Sequence, residues 1–345
     1  MTKKFLTITG IACAFGLIIA LIGFAMIGFD FIKLDLDEDY TEKVFTVSDS
    51  EISSVKVYTD LMKVKICYRQ DDKNEIRITY YENNKHKPTV TTEDGTVILN
   101  DRKGFNNLFS TDGIFSGIKR SKLETVVEIP KDSKSLEINI DNSNASISAE
   151  NIKADNIKLK TSNASINISG EFKNEVYCET SNSSINSKNI TANSITFSSS
   201  NGYCGAENVK SKALSVSTSN AAINITKINS SVVKLETSNS YINIGDVIAD
   251  ISFYAETSNG NISTNSINSN KIELDTSNGN INSTVVGKEK DFRIESGTSN
   301  GNDNISGRGN GSASKSLSAY TSNGNINVYF DDEYTVTEGL QKILD

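Results

Sequence analysis

The sequence predicts an all-β chain: a parallel β-solenoid (β-helix-like) of about ten rungs of 19–23 residues, with an irregular β N-terminal cap, preceded by one transmembrane helix. Three observations predict it. A short phrase, most often Thr-Ser-Asn, recurs at a nearly fixed pitch from Asn144 to Asn323. Apolar residues stand in register with that phrase. An uncharged run near the N-terminus is long enough to cross a membrane. A period near 20 residues, one supersecondary unit per repeat, is the signature of a solenoid.

The first elements concern the membrane. Lys3 and Lys4 close a cytoplasmic stub, residues 1–4, and precede an uncharged run from Phe5 to Phe29. That run is 25 residues, against the roughly 20 a helix needs to span a bilayer. Asp30, Asp35, Asp37, Glu38 and Asp39 follow in a juxtamembrane linker, residues 30–44. Basic residues before the run and acidic ones after it favour a single-pass protein of the cell membrane, N-terminus cytoplasmic and C-terminal domain extracytoplasmic. A cleaved signal peptide would have a shorter apolar region and a small-residue cleavage site. Here the run is too long and no Ala-x-Ala follows it. The apolar stretch before Cys13 is too short for a lipidation site. Ala12, Gly16 and Ala20 form a stripe of the kind that pairs membrane helices, though such stripes are common.

Residues 45–130 carry strand-like runs without the Asn phrase: Val55 to Tyr58, Val64 to Tyr68, Ile76 to Tyr81, Val97 to Leu99 and Val126 to Ile129. They read as an irregular β cap or early rungs. A solenoid requires one, because an open end rung exposes unpaired backbone groups. Residues 101–122, with Phe105, Phe109 and Phe115, form a long excursion between strands, read as a loop packed on the rod in preference to a partner-binding flap.

Residues 131–328 are the regular repeats. The phrase asparagines are Asn144, Asn163, Asn182, Asn201, Asn220, Asn239, Asn259, Asn278, Asn300 and Asn323. Six before each stands an apolar residue, from Ile138 through Phe253 to Leu317. Four before stands a mostly apolar one, from Ile140 to Ala319, with Ser296 the exception. Three after stands Ile or Cys204 in nine rungs, and Asp303 where the pitch slips. Eight after come Ile152, Glu171, Ile190, Val209, Ile228, Val247, Ile267 and Val286. Glu171 breaks that column, and Phe172 beside it is expected to supply the apolar group. Apolar residues two apart within short segments have the strand period. Stacked rungs about 4.8 Å apart make a rod on the order of 50 Å long. The phrase Asn is expected in a left-handed corner, which Asn tolerates, with its amide bonding to the next rung as a structural ladder.

Gly301 to Gly311 reads as a Gly/Asn-rich loop that widens two rungs. Residues 329–345 read as a C-terminal cap, with a short helix from about Thr337.

Chemistry is nearly absent from the sequence. Net charge is −8 with both signs mixed along the chain, and no basic stripe points to nucleic acid. No Ser-His-Asp set, HExxH, phosphate-cradling loop or dinucleotide fingerprint is present. The chain is therefore read as no enzyme, with no catalytic, cofactor-binding or metal residues and no cofactor. The lone histidine, His86, lies in a polar stretch and is expected to be a solvated loop residue. Asp246, Asp250 and Asp275 are the nearest approach to an acidic cluster. Cys178 and Cys204 replace apolar residues in core columns and are expected to be free thiols, since a buried Cys behaves as a small hydrophobe. With Cys67 they form neither a disulfide framework nor a zinc motif. The repeated amides are read as a corner ladder rather than a ligand site.

A binding surface is the more promising feature. Tyr203 and Tyr241 sit two residues after their Asn, in one outward column, and Tyr177, Tyr254 and Tyr320 point outward from another strand. Exposed aromatics can stack on sugars or anchor a partner, although β-propensity alone accounts for them too. Together, the N-terminal anchor, the Val-Glu-Ile-Pro segment at 127–130 and the Thr-Ser-Asn-Gly-Asn-Ile turns at 257–262, 276–281 and 321–326 carry a resemblance. Over roughly residues 45–335 the chain resembles a bacterial membrane-anchored β-strand-repeat envelope family of unknown function, commonly labelled putative adhesins. That resemblance implies the fold and supplies no catalytic residues. Two function classes follow. One is a cell-envelope-anchored, non-catalytic binding or adhesion module facing cell-wall polysaccharide or another envelope protein. The other is a scaffold or regulatory ectodomain that partners membrane proteins in envelope-stress sensing. A polysaccharide-acting β-helix enzyme is a minor third reading, disfavoured because outward acids do not align across rungs.

Overall fold

The computed structural model describes residues 39–102, 121–133 and 135–332. The membrane run 5–29, most of the 101–122 excursion and the helix expected from Thr337 lie outside the described residues.

The described strands are, in chain order, β1 (Thr41–Ser48), β2 (Ser54–Thr59), β3 (Lys63–Tyr68), β4 (Glu75–Glu82), β5 (Thr89–Glu93), β6 (Thr96–Asn100), β7 (Glu124–Ile129), β8 (Glu137–Asn142), β9 (Ile147–Thr161), β10 (Ile166–Thr180) and β11 (Ile185–Thr191). They continue as β12 (Ser194–Ser199), β13 (Cys204–Thr218), β14 (Ile223–Thr237), β15 (Ile242–Thr257), β16 (Ile262–Ser269), β17 (Lys271–Thr276), β18 (Ile281–Val286), β19 (Phe292–Thr298), β20 (Lys315–Thr321) and β21 (Ile326–Asp331). The regular strands pair parallel, rung on rung, with like residues stacked: Ile166 on Ile147, Val176 on Ile157, Thr180 on Thr161. This is the predicted parallel β-solenoid.

The core is built from the sequence columns. Ile138, Val176, Phe253 and Leu317 are buried in the column six before the Asn, and Ile147, Ile185, Ile242 and Ile326 in the column three after. Phe172 is buried where Glu171 breaks the pattern. In the last member of that column Val285, not Val286, turns inward and stacks on Ile267. A further inward column lies five after the Asn and mixes Ile168, Ile225 and Ile244 with Ser187, Thr264 and Ser283. One interval is 20 residues instead of 19. The extra residue is a bulge between Ala249 and Ser252 in β15, and it leaves Ile251 61% exposed.

The corners differ from expectation in one respect. A ladder is present: every phrase Asn after Asn144 donates its side-chain N–H to the Oδ1 of the Asn in an adjacent rung, as in Asn182 to Asn163 (2.7 Å) and Asn220 to Asn201 (2.7 Å). Positive φ, however, belongs to another column, seven residues later: Asn151, Asn189, Asn208 and Lys227 at 53–56° and Gly170 at 136°. At Gly170 a Cβ would also fall 2.0 Å from the Ile152 carbonyl oxygen. The phrase turn instead brings the chain close to its neighbour. Above Gly260, a Cβ on Gly279 would meet the carbonyl oxygen at 1.8 Å. The phrase Thr supplies a second, buried ladder. Thr218 donates to the Gly202 carbonyl (3.0 Å), Thr237 to Ala221 (3.0 Å) and Thr276 to Gly260 (2.9 Å).

Both ends depart from sequence order. At the far end β17 pairs with β20, and β20 then pairs with β19. The ladder follows the same order, Asn323 bonding Asn278 (2.7 Å) and Asn300 bonding Asn323 (2.8 Å). The strand pair β20–β21 is therefore inserted beneath β19, and 301–311 does not widen two sequential rungs. Part of that segment lies along β19: Arg293 bridges Gly309, and the Asn310 N–H donates to the Phe292 carbonyl (2.8 Å). At the near end β2 lies between β6 and β8, and β3 between β7 and β9. Antiparallel strands cover the outermost rung there, β5 on β6, β4 on β7 and β1 on β4. The β5–β6 hairpin turns on Asp94 and Gly95, both at positive φ, as such two-residue turns require.

His86 is a correction. It is 5% exposed, its Nε2 meets Asp101 Oδ1, and Thr59 Oγ1 donates to the other Asp101 oxygen (2.8 Å). Asp101 thus ties β2, the 83–88 turn and the end of β6 into one buried node. His86 serves packing and polar satisfaction there, and is not solvated.

Candidate functional site

The phrase turn and the left-handed corner bound one face of each rung. Along that face the outward residues are small and amidic. Four after the phrase Asn stand Asn167, Asn186, Gly205, Asn224, Asn243 and Ser263; six after stand Ser169, Lys188, Glu207, Thr226, Gly245 and Asn265. Short side chains between bulkier rims leave a groove of about 930 Å³ running along the rod from Glu150 to Asn265.

Polar groups on this face are partly linked to each other. Asn186 donates to Asn167 Oδ1 (3.1 Å), and Asn208 at the rim donates to Asn189 Oδ1 (2.6 Å). Lys188 and Glu207 pair at 3.2 Å, so the groove's central charges offset. Gly205 interrupts the amide column. The Tyr203 phenol tip lies over it, with the hydroxyl oxygen, Cε1 and Cζ 2.7–3.0 Å from where a Cβ on residue 205 would stand. Gly205 is therefore the residue that makes room for the tip of the Tyr203 ring on the groove floor. One rung on, Asn224 Oδ1 is buried without a hydrogen-bond partner. The groove thus offers carboxamides, which both donate and accept, beside an aromatic ring that is 36% exposed.

The structure separates the five tyrosines. Only Tyr203 lines the groove. Tyr241 stands two rungs on in the same turn column, 46% exposed, with Ala222 between them. Tyr177 and Tyr254 lie on a different face and are engaged by their own surroundings. Lys158 and Lys160 sit over the Tyr177 ring at 5.4 and 5.3 Å, and its hydroxyl donates to Glu179 (2.9 Å). Lys234 sits over Tyr254 at 5.7 Å, and that hydroxyl donates to Glu256. Burial and those carboxylates push both phenols up from their ordinary value. Tyr320 stacks between Asp275 and Gly297 near the far end, 41% exposed.

Asp246, Asp250 and Asp275 do not converge. Asp246 and Asp250 lie along the other stretches of β15, whereas Asp275 stacks on Glu256, which stacks on Glu236. Burial, then the Glu256 charge, raises the Asp275 carboxyl above its ordinary value. Among the described residues no group of three His, Cys, Asp or Glu is placed to hold a metal ion. Cys67, Cys178 and Cys204 are free thiols, the last two buried. Burial pushes Cys204 up to about 12 and Cys178 up as well, so neither is a ready nucleophile. A second hollow of about 760 Å³ is lined by Lys210 and by two ion pairs, Lys153 with Glu171 (2.8 Å) and Lys173 with Asp155 (3.8 Å).

A family model described as Toastrack DUF4097 matches residues 52–329. The chain is also similar to a "putative adhesin" of Bacteroides fragilis, at 14% identity and a TM-score of 0.37, covering 85% of this chain and 98% of that one. A "putative cell adhesion protein" of Clostridium sporogenes matches at 12% identity and a TM-score of 0.18, covering 85% of this chain and 100% of that one. No curated protein matches.

Proposed function

The chain belongs to the Toastrack DUF4097 family, and from that premise we propose that it is an envelope-anchored, non-catalytic binding rod whose ligand lies in the groove along the 167–245 face. The observation that carries this reading is the groove itself: a row of carboxamides across successive rungs with one aromatic ring laid on its floor. An extended, largely uncharged, hydroxyl-rich polymer fits such a surface. Its hydroxyls exchange hydrogen bonds with amides, its apolar ring faces stack on Tyr203, and a repeating chain meets a repeating wall. Cell-wall polysaccharide is the polymer of that chemistry nearest to a membrane anchor. The anchor is the uncharged run 5–29, which holds the N-terminus in the cytoplasm and the rod outside.

Co-sedimentation with insoluble cell-wall polymer tests this. The protein is expected to pellet saturably. Tyr203→Ala should weaken binding about tenfold, the effect of removing a central aromatic anchor. Tyr177→Ala, on the other face, should leave it unchanged. Absence of pelleting by the native chain, or equal loss in both variants, would overturn the reading.

A further inference from the structure

Six Asn-Gly pairs occur in this chain, at 201, 259, 278, 300, 310 and 323. Asn-Gly is the dipeptide most open to intramolecular attack, because glycine leaves the following backbone nitrogen unhindered. Five of the six are ladder members, whose carboxamides are held by the stack, and at three of these the glycine nitrogen is held as well. Asn278 donates to Asn259 Oδ1 (2.8 Å) and accepts from Asn323 (2.7 Å), so its carboxamide is fixed at both ends. The glycine nitrogens at 202, 260 and 279 donate to the hydroxyls of Ser199 (2.8 Å), Thr257 (3.3 Å) and Thr276 (3.2 Å). Reaction at these sites first requires the corner to open.

Asn310 lies outside the ladder, and its carboxamide is bonded only within its own turn. Its Oδ1 accepts from the Ser312 N–H (3.0 Å), which curls the carboxamide back over Gly311 and polarises its carbonyl. A Cβ on Gly311 would meet nothing within 4 Å, so space for a new ring is open. We propose that Asn310 is a self-modification site of this protein, deamidating through attack by its own backbone while the stacked corners protect the other five.

The step balances without any oxidant or cofactor. The Gly311 nitrogen gives its proton to solvent and forms a bond to Asn310 Cγ; the bond from Cγ to the amide nitrogen breaks, and ammonia leaves. Water then opens the resulting succinimide at either carbonyl, giving aspartate or isoaspartate. Both products add a negative charge, and isoaspartate also lengthens the main chain by one methylene. That change falls on the segment covering the outermost rung, where the Asn310 N–H bonds the Phe292 carbonyl (2.8 Å). Conversion should therefore loosen the cover of β19.

Peptide mapping of the full chain after days in mildly alkaline buffer tests the site. Conversion at Asn310 is expected to run at least ~10-fold faster than at any of the five ladder positions in the folded protein. In urea the six rates should converge. Gly311→Ala, which adds bulk beside the attacking nitrogen, should slow position 310 alone. Ladder asparagines converting as fast as Asn310 in the folded protein, or a rate gap that persists in urea, would overturn the proposal.

Discussion

At the residue scale, the phrase Asn and Thr act as paired ladders of different kinds. The Asn ladder is on the surface, so losing one amide exposes its neighbours to water instead of orphaning them. Asn220→Ala removes two bonds, to Asn201 and from Asn239, both 2.7 Å. At about 1 kcal/mol net for each, melting should fall by about 2–5 °C. An unchanged melting temperature would mean that the ladder is passive. Asp275 carries the opposite sign. Its folded-state carboxyl titrates above its ordinary value, so the folded protein holds that proton more tightly than the unfolded chain. Its contribution to stability is most favourable at low pH and declines as pH rises from the ordinary carboxylate range through the raised value. Asp275→Asn should therefore raise melting by about 1–3 °C at neutral pH. The gain should vanish below about pH 4, where the free carboxyl is already protonated. A gain that persists in acid would point to packing instead of charge.

At the scale of elements, local sequence explains the rungs and leaves their order unstated. The apolar columns are legible because every rung repeats the same inward positions, and one substitution such as Glu171 is answered by its neighbour Phe172. The column five after the Asn is harder to see, since Ser187, Thr264 and Ser283 face inward with bonded hydroxyls, as in Ser187 to the Gly205 carbonyl (3.1 Å). The left-handed corner has a signal, an Asn directly before the apolar residue at 152, 190 and 209, but the more frequent phrase Asn obscures it. The inserted strand pair at the far end is silent in sequence, because spacing measures chain length and not which rung lies on which. Hydrogen exchange can see that order. The β20 amides are flanked by β17 and β19 and should exchange more slowly than those of β19, although β19 comes earlier in the chain. Faster exchange in β20 would contradict the insertion.

For the molecule as a whole, fold and site were not equally legible. The solenoid follows from period and composition. The groove depends on what is missing, a side chain at Gly205, and on a ring from two residues earlier filling that space. Tyr203 and Tyr241 look equivalent in sequence; only the stack shows that one lies in the groove and the other beyond it. His86 misleads for a related reason, since its polar neighbours say nothing of Asp101, which arrives from fifteen residues away to bury it.

The near end of the rod also behaves as a mechanical coupling. Tension applied through the N-terminus first reaches β1, an edge strand held to β4 alone. Peeling it away consumes the slack but leaves the stack intact. The next strand in the load path, β2, is gripped on one side by β6 and on the other by β8, so it cannot unzip from a free edge and must be drawn out between two neighbours. A pull on the N-terminus should thus give a small extension at low force and then meet a much higher resistance at β2.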